Sequence, residues 1–175
     1  MRLPCLLLRR GLGTNLTLAW LKRFCRGFLL DGARQAEGLD AAIRRFDIRL
    51  RDRAALAGQL SGGNQQKLLL AKMLLGGPDV IVVDEPTRGI DVGTKAEIYR
   101  LIAGLAADDK AVVVISSEMT ELIGLCHRIL VMRDGRLVGE VSGDGVTEQN
   151  LVVLATGAGA SVQPAAIPAQ PATRH

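Results

Sequence analysis

The sequence is poor in aromatic residues, in cysteine and in long apolar runs. Only 3% of its 175 residues are aromatic, which leaves few side chains for stacking on nucleic-acid bases. The three cysteines, Cys5, Cys25 and Cys126, are odd in number and widely spaced. They therefore indicate neither a disulfide framework nor a metal site, and they fit a reducing compartment. No apolar window reaches the length that spans a bilayer, and the apolar run Leu3–Leu8 is too short for a secretory signal.

Acidic residues are scarce in the first third of the chain. Residues 1–53 hold twelve Lys and Arg against five Asp and Glu, whereas residues 54–175 hold ten against thirteen, for a net charge of +4. A basic segment can bind nucleic acid or an anionic membrane surface. A solvated basic helical face is the simpler interpretation, and we expect no nucleic-acid partner.

The stretch from Leu60 to Asp91 carries the chemistry of the sequence. It opens with Leu60-Ser61-Gly62-Gly63-Asn64-Gln65-Gln66-Lys67. Ser61 is a good N-cap, and two glycines without side chains let an anion approach the free N–H groups at a helix start. The run that follows to Leu75 predicts a helix, and Gly76-Gly77-Pro78 predicts its end.

Two carboxylates follow a buried-type strand in the same stretch. The β-branched run Val80–Val83 predicts a strand covered on both faces. Asp84 and Glu85 come next, at the strand end where open α/β sheets place ligand sites. Asp84 suits Mg²⁺, and Glu85 suits a general base or a residue that orients water. Either motif alone is common in turns, but the two joined by one helix indicate a phosphate site.

Together these motifs resemble the nucleotide-binding domain of ATP-binding-cassette (ABC) proteins. Leu60–Gln65 resembles the family's signature motif, Val80–Glu85 its Walker B segment, and Gly89-Ile90-Asp91 its D-loop. The fuller pattern is similar to the second cassette of the ATPases that energise bacterial ribose, xylose and galactose-type importers. The resemblance runs from about Asn15 to Leu154.

This resemblance implies an ATPase that uses ATP and Mg²⁺ to drive sugar uptake. It places Glu85 and Ser117 at catalytic positions, with Ser117 where the family normally has histidine, so the site that this domain completes with its own phosphate loop is expected to be slow or inactive. It places Asp84 at the metal. The residues that it places at the nucleotide are Ser61, Gly62, Gly63, Gln65 and Asp91.

The resemblance also implies partners and a location. In the family, the signature of one cassette closes over ATP held by the phosphate loop of another, so this signature is expected to act in trans on a P-loop-bearing cassette. Transmembrane permease subunits and, indirectly, a periplasmic sugar-binding protein are the other expected partners. The implied location is the cytoplasmic face of the bacterial inner membrane.

A phosphate loop of the form Gly-x-x-x-x-Gly-Lys-Ser/Thr is not found, because no Gly-Lys dipeptide occurs in the 175 residues. We therefore expect the isolated chain to bind ATP weakly and to turn it over negligibly, as a fragment or one piece of a split gene. Two alternatives stay open: an inactive remnant or binding module, and an ABC ATPase outside transport. The second usually carries coiled-coil heptads, which are not seen here.

The expected fold is α/β: a truncated, partial P-loop NTPase with a mainly helical N-terminal segment and a mostly parallel sheet. We assign residues 1–14 to a divergent N-terminus and 15–75 to a helical subdomain with the signature. Residues 76–155 are assigned to an α/β core with the Walker B segment and the D-loop, and 156–175 to a disordered tail.

The apolar patterns also predict individual elements. Helices are predicted at Asn15–Phe28, Leu39–Phe46, Val92–Ala107, Glu118–Leu125 and Thr147–Ala155. Strands are predicted at Ala111–Ser116, which is expected to be buried, and at Arg128–Met132 and Arg136–Val141. Thr14 or Asn15 is expected to cap the first helix, and Asp134-Gly135 to form a hairpin turn. Asp31–Gly38 and Asp47–Gln59 are expected to be polar connections.

Overall fold

The computed structural model describes residues 5–158, and the chain divides after Ile115 into two compact units. The first unit contains a helical segment and a parallel strand pair, and the second contains an antiparallel hairpin with two helices. This mixture of helices with a parallel pair confirms the predicted α/β class. Residues 159–175 of the predicted tail lie outside the described residues. No described helix is long and apolar enough to cross a membrane.

The first unit begins with short helices rather than with one long helix. Helix α1 (Leu12–Thr17) and helix α2 (Leu21–Phe24) are joined by a 3-10 turn, and the hairpin strands β1 (Cys25–Arg26) and β2 (Leu29–Leu30) follow. The prediction of a helix through Phe28 was therefore wrong. Gly27, with φ at +65°, takes the first position of a two-residue hairpin turn, a conformation that a helix cannot contain.

The sequence predicted Thr14 or Asn15 as the N-cap of α1, and this prediction was wrong, because Gly11 occupies that position. Asn15 is buried inside the helix, where its Oδ1 accepts from the Leu7 N–H at 2.7 Å. Its Nδ2 donates to the carbonyl oxygens of Leu7, Arg10 and Gly11 at 3.0 to 3.2 Å. The amide therefore ties the residues before α1 to the helix itself.

Helix α3 (Gly32–Phe46) begins well before Leu39, so the expected polar connection over Asp31–Gly38 was also wrong. The Asp31 carboxylate accepts from the N–H groups of Ala33 and Arg34 at 3.0 and 3.1 Å, which is an N-cap. Leu39 and Phe46 are buried, as the predicted apolar face requires. The low apolar content of the first two turns concealed the start of this helix.

Helix α4 (Gly62–Leu74) and strand β3 (Val80–Asp84) lie where the sequence predicted them. Strand β3 pairs in parallel with β4 (Ala111–Ile115), and helix α5 (Val92–Ala107) connects the two strands. The predicted coverage of both sheet faces was wrong. Ile81 and Val83 are buried, whereas Val80 and Val82 are 63% and 59% exposed, because the described sheet is covered on one face only. The predicted burial of β4 was wrong in the same way, since its side chains are exposed or half-buried.

The second unit follows the predicted order, with element ends that differ by one residue. It contains α6 (Met119–Leu125), β5 (Arg128–Arg133), β6 (Arg136–Ser142) and α7 (Glu148–Thr156). Asp134 and Gly135 both have positive φ, at 51° and 73°, as a tight turn between antiparallel strands requires. Ile129, Val131 and Leu151 form its core.

Candidate functional site

Ser61 and two glycines form the N-terminus of α4. The Ser61 Oγ accepts from the Asn64 backbone N–H at 3.4 Å and from its Nδ2 at 2.9 Å. Gly62 is exposed, and no heavy atom lies within 4 Å of the place where its β-carbon would stand. Because free N–H groups at a helix start carry partial positive charge, this end of α4 offers an anion an unobstructed approach.

Gly63 has a different reason to be glycine. It is buried, and a β-carbon there would lie 2.1 Å from the Thr94 Cγ2 on α5. The missing side chain thus allows the first turns of α4 and α5 to pack in direct contact. The sequence had assigned both glycines to ligand approach, and the packing explains Gly63 without a ligand.

Asp91 lies on the other side of the same contact, as the N-cap of α5. Its Oδ1 accepts from the Thr94 N–H at 3.0 Å. Hydrogen bonds with the backbone and the side chain of Thr94 hold the pKa of the Asp91 carboxyl below its ordinary value, so the group is ionised near neutral pH. Thr94 therefore connects Gly63 at the start of α4 with the Asp91 carboxylate.

The two carboxylates that follow β3 differ in environment. Asp84 is exposed on the open face of the strand, which it shares with Val80 and Val82, and its side chain forms no hydrogen bond or ion pair with any residue that the structure describes. Glu85 has φ at +48°, a left-handed conformation that is unusual for a residue with a long side chain. Its N–H donates to the Ile115 carbonyl at 2.7 Å, so β4 holds the strained residue in place.

A tight loop leads from Glu85 to Asp91. The Arg88 N–H donates to the Glu85 carbonyl and the Ile90 N–H to the Thr87 carbonyl, both at 3.2 Å. Thr87 is fully buried. The loop is thus closed by its own hydrogen bonds, and it fixes the end of β3 relative to the start of α5.

A buried lysine on α4 was missed by the sequence analysis. Lys67 is only 2% exposed, and its Nζ donates to the Glu97 carboxylate at 2.7 Å and to the Asp47 carbonyl at 2.8 Å. Glu97 also accepts from Arg49 at 3.0 Å. The Lys67 hydrogen bond is the main cause that lowers the pKa of the Glu97 carboxyl. Lys67 shares a helix face with Gly63, four residues earlier, but the burial of that face is visible only in the structure, so no local signal in the sequence indicates a buried lysine.

Two further predicted site residues have their own surroundings. The Gln65 Nε2 donates to the Leu60 carbonyl at 3.0 Å, which braces the residues before α4. Ser117 lies in the second unit, between β4 and α6. The roles assigned to both at a nucleotide stay predictions. His127, which was given no role, is exposed.

A cleft of about 990 Å³ opens beside the N-terminus of α4. Arg49, Arg51, Ser61 and Asn64 are among its lining residues. The cleft combines a helix N-terminus with the guanidinium group of Arg51, whereas the Arg49 guanidinium is paired with Asp47 and Glu97, and Asp52 also lines the cleft. The helix N-terminus and Arg51 favour an anionic ligand.

The Asp84 carboxylate suits a metal ion that keeps most of its water ligands. No cluster of three or more His, Cys, Asp or Glu residues that would enclose a metal occurs between residues 5 and 158. Mg²⁺ is commonly bound by one or two carboxylates together with water and phosphate oxygens. The exposed, unpaired Asp84 carboxylate fits that mode of binding.

Comparisons with known proteins agree with these motifs. The family model described as ABC transporter matches residues 9–88. The xylose import ATP-binding protein XylG of Burkholderia ambifaria is 44% identical over 161 residues, which cover 92% of this chain and 30% of the relative. The ribose import ATP-binding protein RbsA 1 of Streptomyces coelicolor is 47% identical over 148 residues, which cover 84% of this chain and 29% of the relative. This chain thus spans about a third of the length of such relatives.

Solved structures give the same result for the fold. The ATP-binding cassette MJ0796, in a dimeric post-hydrolysis state bound to ADP and phosphate, is 25% identical with a TM-score of 0.65, and the match covers 78% of this chain and 58% of that one. The cassette MJ1267 of an ABC transporter is 18% identical with a TM-score of 0.71, over 88% of this chain and 65% of that one. The described residues therefore have the fold of part of an ABC cassette.

Proposed function

We propose that the chain is the C-terminal part of a cassette of a carbohydrate importer. Residues 9–88 match the ABC transporter family model, and most of the chain is similar to sugar import ATP-binding proteins. Its signature would close over ATP that a phosphate loop of a partner cassette holds. The observation that carries this proposal is the open N-terminus of α4 at Gly62, next to the capped start of α5.

Several residues of the first unit have proposed roles at the nucleotide. The N–H groups at Ser61 and Gly62 would donate to phosphate oxygens of the ATP that the partner cassette holds, and Arg51 would add positive charge beside them. ATP bound with Mg²⁺ would supply the reactive phosphoanhydride and part of the charge neutralisation. At the separate site that a cassette forms with its own phosphate loop, Asp84 would hold the metal ion, and Glu85 would accept a proton from, or orient, the attacking water.

Asp91 and Ser117 complete the proposed assignment. The ionised Asp91 carboxylate, fixed by Thr94, would face the partner cassette across the interface. Ser117 would stand at the position of the usual histidine, and Gln65 would contact the nucleotide from α4. Since Ser117 is a weaker base than histidine, we expect slow turnover at any site in which it replaces that residue.

The proposed location is the cytoplasmic face of the bacterial inner membrane, in a complex with permease subunits and an associated sugar-binding protein. The names of the relatives, which refer to xylose and ribose import, support this part of the proposal. For the chain alone we propose weak ATP binding and negligible hydrolysis, because its motifs would complete a phosphate loop in trans.

Association with a loop-bearing cassette tests the proposal. We would mix the 175-residue chain with a purified sugar-importer cassette that carries Gly-x-x-x-x-Gly-Lys-Ser/Thr, and measure complex formation by analytical ultracentrifugation with ATP and Mg²⁺, with ADP, and without nucleotide. We expect a complex with ATP and Mg²⁺ only. Association that is equally strong with and without nucleotide, or the absence of any association, would favour a binding module or an inactive remnant.

Two glycine variants make that test specific to the signature. Gly62→Asp places a carboxylate at the proposed phosphate position, and it should abolish the ATP-dependent complex. Gly104→Asp is the matched control, because Gly104 is also an exposed helical glycine with no heavy atom near its missing β-carbon. Equal loss in both variants would contradict a contact at Gly62.

A further inference from the structure

The hairpin in the helical segment has an exposed apolar tip. Phe28 is fully exposed, at 105% of its reference area, and Leu29 and Leu30 are 78% and 48% exposed. Exposed single apolar residues are common on protein surfaces, but three consecutive ones that include an aromatic ring form a patch. These three residues do not line the cleft beside α4, and they are not part of α4.

The tip is held by a well-packed base. Phe24 is buried and lies so close to Gly38 on α3 that a β-carbon there would be 2.7 Å from its ring. The Asp31 N–H donates to the Phe24 carbonyl at 2.8 Å and so closes the hairpin, and the Asp31 side chain caps α3. The structure therefore presents the tip, around the turn residue Gly27, in a fixed orientation.

The charged residues that precede Leu30 are basic and none is acidic. Asp31 directly follows Leu30, and its carboxylate caps α3 and lies 3.6 Å from the Arg34 Nε. The sequence has no Asp or Glu before Asp31, while six Lys and Arg residues precede it. Lys22 and Arg26 are exposed, and within residues 5–158 their side chains form no hydrogen bond or ion pair. Arg26 lies opposite Leu29 in the strand register, so a cation and an apolar side chain are neighbours at the tip.

We propose that this hairpin is a contact site for an anionic phospholipid bilayer. Phe28, Leu29 and Leu30 enter the boundary between headgroups and acyl chains, and Lys22 and Arg26 bind the anionic headgroups. Apolar side chains bordered by basic ones are the pattern of segments that lie in a membrane interface. The proposal goes beyond attachment through permease subunits, because it requires no other protein, and it does not depend on the proposed nucleotide site.

Charge complementarity decides between lipid and protein as the occupant. A protein groove that received the three apolar residues would not by itself require cations beside them. An anionic surface requires them, since each nearby Lys or Arg contributes attraction, and the acidic residue beside Leu30, Asp31, is engaged by the N-terminus of α3 and by Arg34. A permease loop is therefore the competing occupant, and the experiment must be able to detect it.

Vesicle co-sedimentation of the 175-residue chain is the first test. We expect binding to phosphatidylcholine vesicles that contain about a third phosphatidylglycerol, little binding to pure phosphatidylcholine, and weaker binding at high salt. Phe28→Ser and the double variant Lys22→Glu with Arg26→Glu should each lower the apparent affinity about tenfold. Unfolding curves of both variants, followed by Trp20 fluorescence, verify that they fold.

Matched variants elsewhere on the surface serve as controls. Met132→Ser removes an exposed apolar side chain, and Arg44→Glu with Arg136→Glu makes the same change in net charge at residues outside the hairpin. Beyond the effect that a lower net charge has at any position, neither control should change the apparent affinity for vesicles by more than about twofold. Hairpin and control variants that behave alike would overturn the proposal, as would equal binding to neutral vesicles.

Insertion of the tip supplies a second readout. Phe28→Trp should show quenching by lipids with brominated acyl chains, whereas Trp20 should not, since its Nε1 donates to the Lys72 carbonyl at 2.8 Å and its ring packs at Gly76. Binding that appears only when permease subunits are present in the vesicles would assign the hairpin to a protein contact and refute the lipid assignment.

Discussion

A β-carbon at Gly63 would stand 2.1 Å from the Cγ2 methyl group of Thr94, and Thr94 in turn donates its N–H to the Asp91 carboxylate at 3.0 Å. The start of α4 and the start of α5 are thus fitted to each other through one threonine. This contact explains why two consecutive glycines in one motif have different physical roles. It also predicts different effects of the same substitution at Gly62 and at Gly63.

Gly63→Ala should destabilise the first unit by about 1–3 kcal/mol, because an added methyl group would overpack the contact with Thr94. Gly62→Ala should be neutral or slightly stabilising, since its β-carbon meets open space and alanine favours a helix. Denaturant unfolding followed by the fluorescence of Trp20, the single tryptophan, measures both. Adding Thr94→Ser to Gly63→Ala removes the clashing methyl group and should restore most of the loss. A Gly63→Ala protein as stable as wild type would refute the packing role.

The ion-pair cluster around Lys67 gives a pH prediction. The pKa of Glu97 is lowered from its ordinary value near 4.5, mainly by the Lys67 hydrogen bond. A lowered pKa in the folded state means that the carboxylate stabilises the fold above pH 4.5, and that this contribution is lost as the pH falls through the lowered value. Glu97→Gln should therefore cost about 2 kcal/mol at pH 7, and the difference from wild type should shrink below pH 4.5.

Unfolding free energies of both proteins between pH 3 and pH 8 check this relationship. Glu37→Gln is the matched control, because Glu37 is exposed on α3 and its side chain has no partner within the described part of the chain. It should change stability little at any pH. A gap between Glu97→Gln and wild type that stays constant as the pH falls would contradict the assignment to the Lys67 pair.

Much of the candidate site could be predicted from sequence because its signals are local. Ser61 before two glycines marks a helix start, and the β-branched run before Asp84 marks a strand, so both elements lie where they were predicted. Local signals cannot show which glycine meets open space and which meets a neighbouring helix. That distinction depends on Thr94, which lies far along the sequence.

The failed predictions have physical reasons of the same kind. The helix expected to run through Phe28 stops because Gly27 takes a positive φ in a two-residue turn, a local signal that the apolar pattern outweighed. Helix α3 begins at Gly32 because Asp31 caps it, although few apolar residues mark its first turns. The prediction that both faces of β3 are buried was wrong because the burial of a strand depends on the elements that pack against it, and the sequence of the strand alone does not specify them.

The backbone of Glu85 provides a third prediction. A left-handed conformation costs a long side chain about 1 kcal/mol, and glycine removes that cost. Glu85→Gly should therefore be more stable than Glu85→Ala by about 1 kcal/mol of unfolding free energy, although both variants remove the proposed catalytic carboxylate and the interactions of that side chain. At Asp84, in a strand with ordinary φ, glycine should instead be less stable than alanine by about 0.5–1 kcal/mol. Opposite signs of the glycine-to-alanine difference at the two positions support a strained Glu85, and a less stable glycine at both would exclude it.

The buried amide of Asn15 leads to the last prediction. Asn15→Ala removes four hydrogen bonds to the backbone of Leu7, Arg10 and Gly11. The three carbonyl oxygens keep backbone N–H donors, whereas the Leu7 N–H loses the Asn15 oxygen that accepts from it. Since an unsatisfied polar group costs about 1–3 kcal/mol, we expect the unfolding free energy to fall by about 1–3 kcal/mol. We also expect the segment before α1 to lose protection in amide hydrogen exchange before the rest of the unit does. Thr14→Ala, at an exposed position of the same helix, should leave both measurements unchanged within about 0.5 kcal/mol. If exchange before α1 were equally fast in wild type and Asn15→Ala, the amide would not be what holds that segment on the helix.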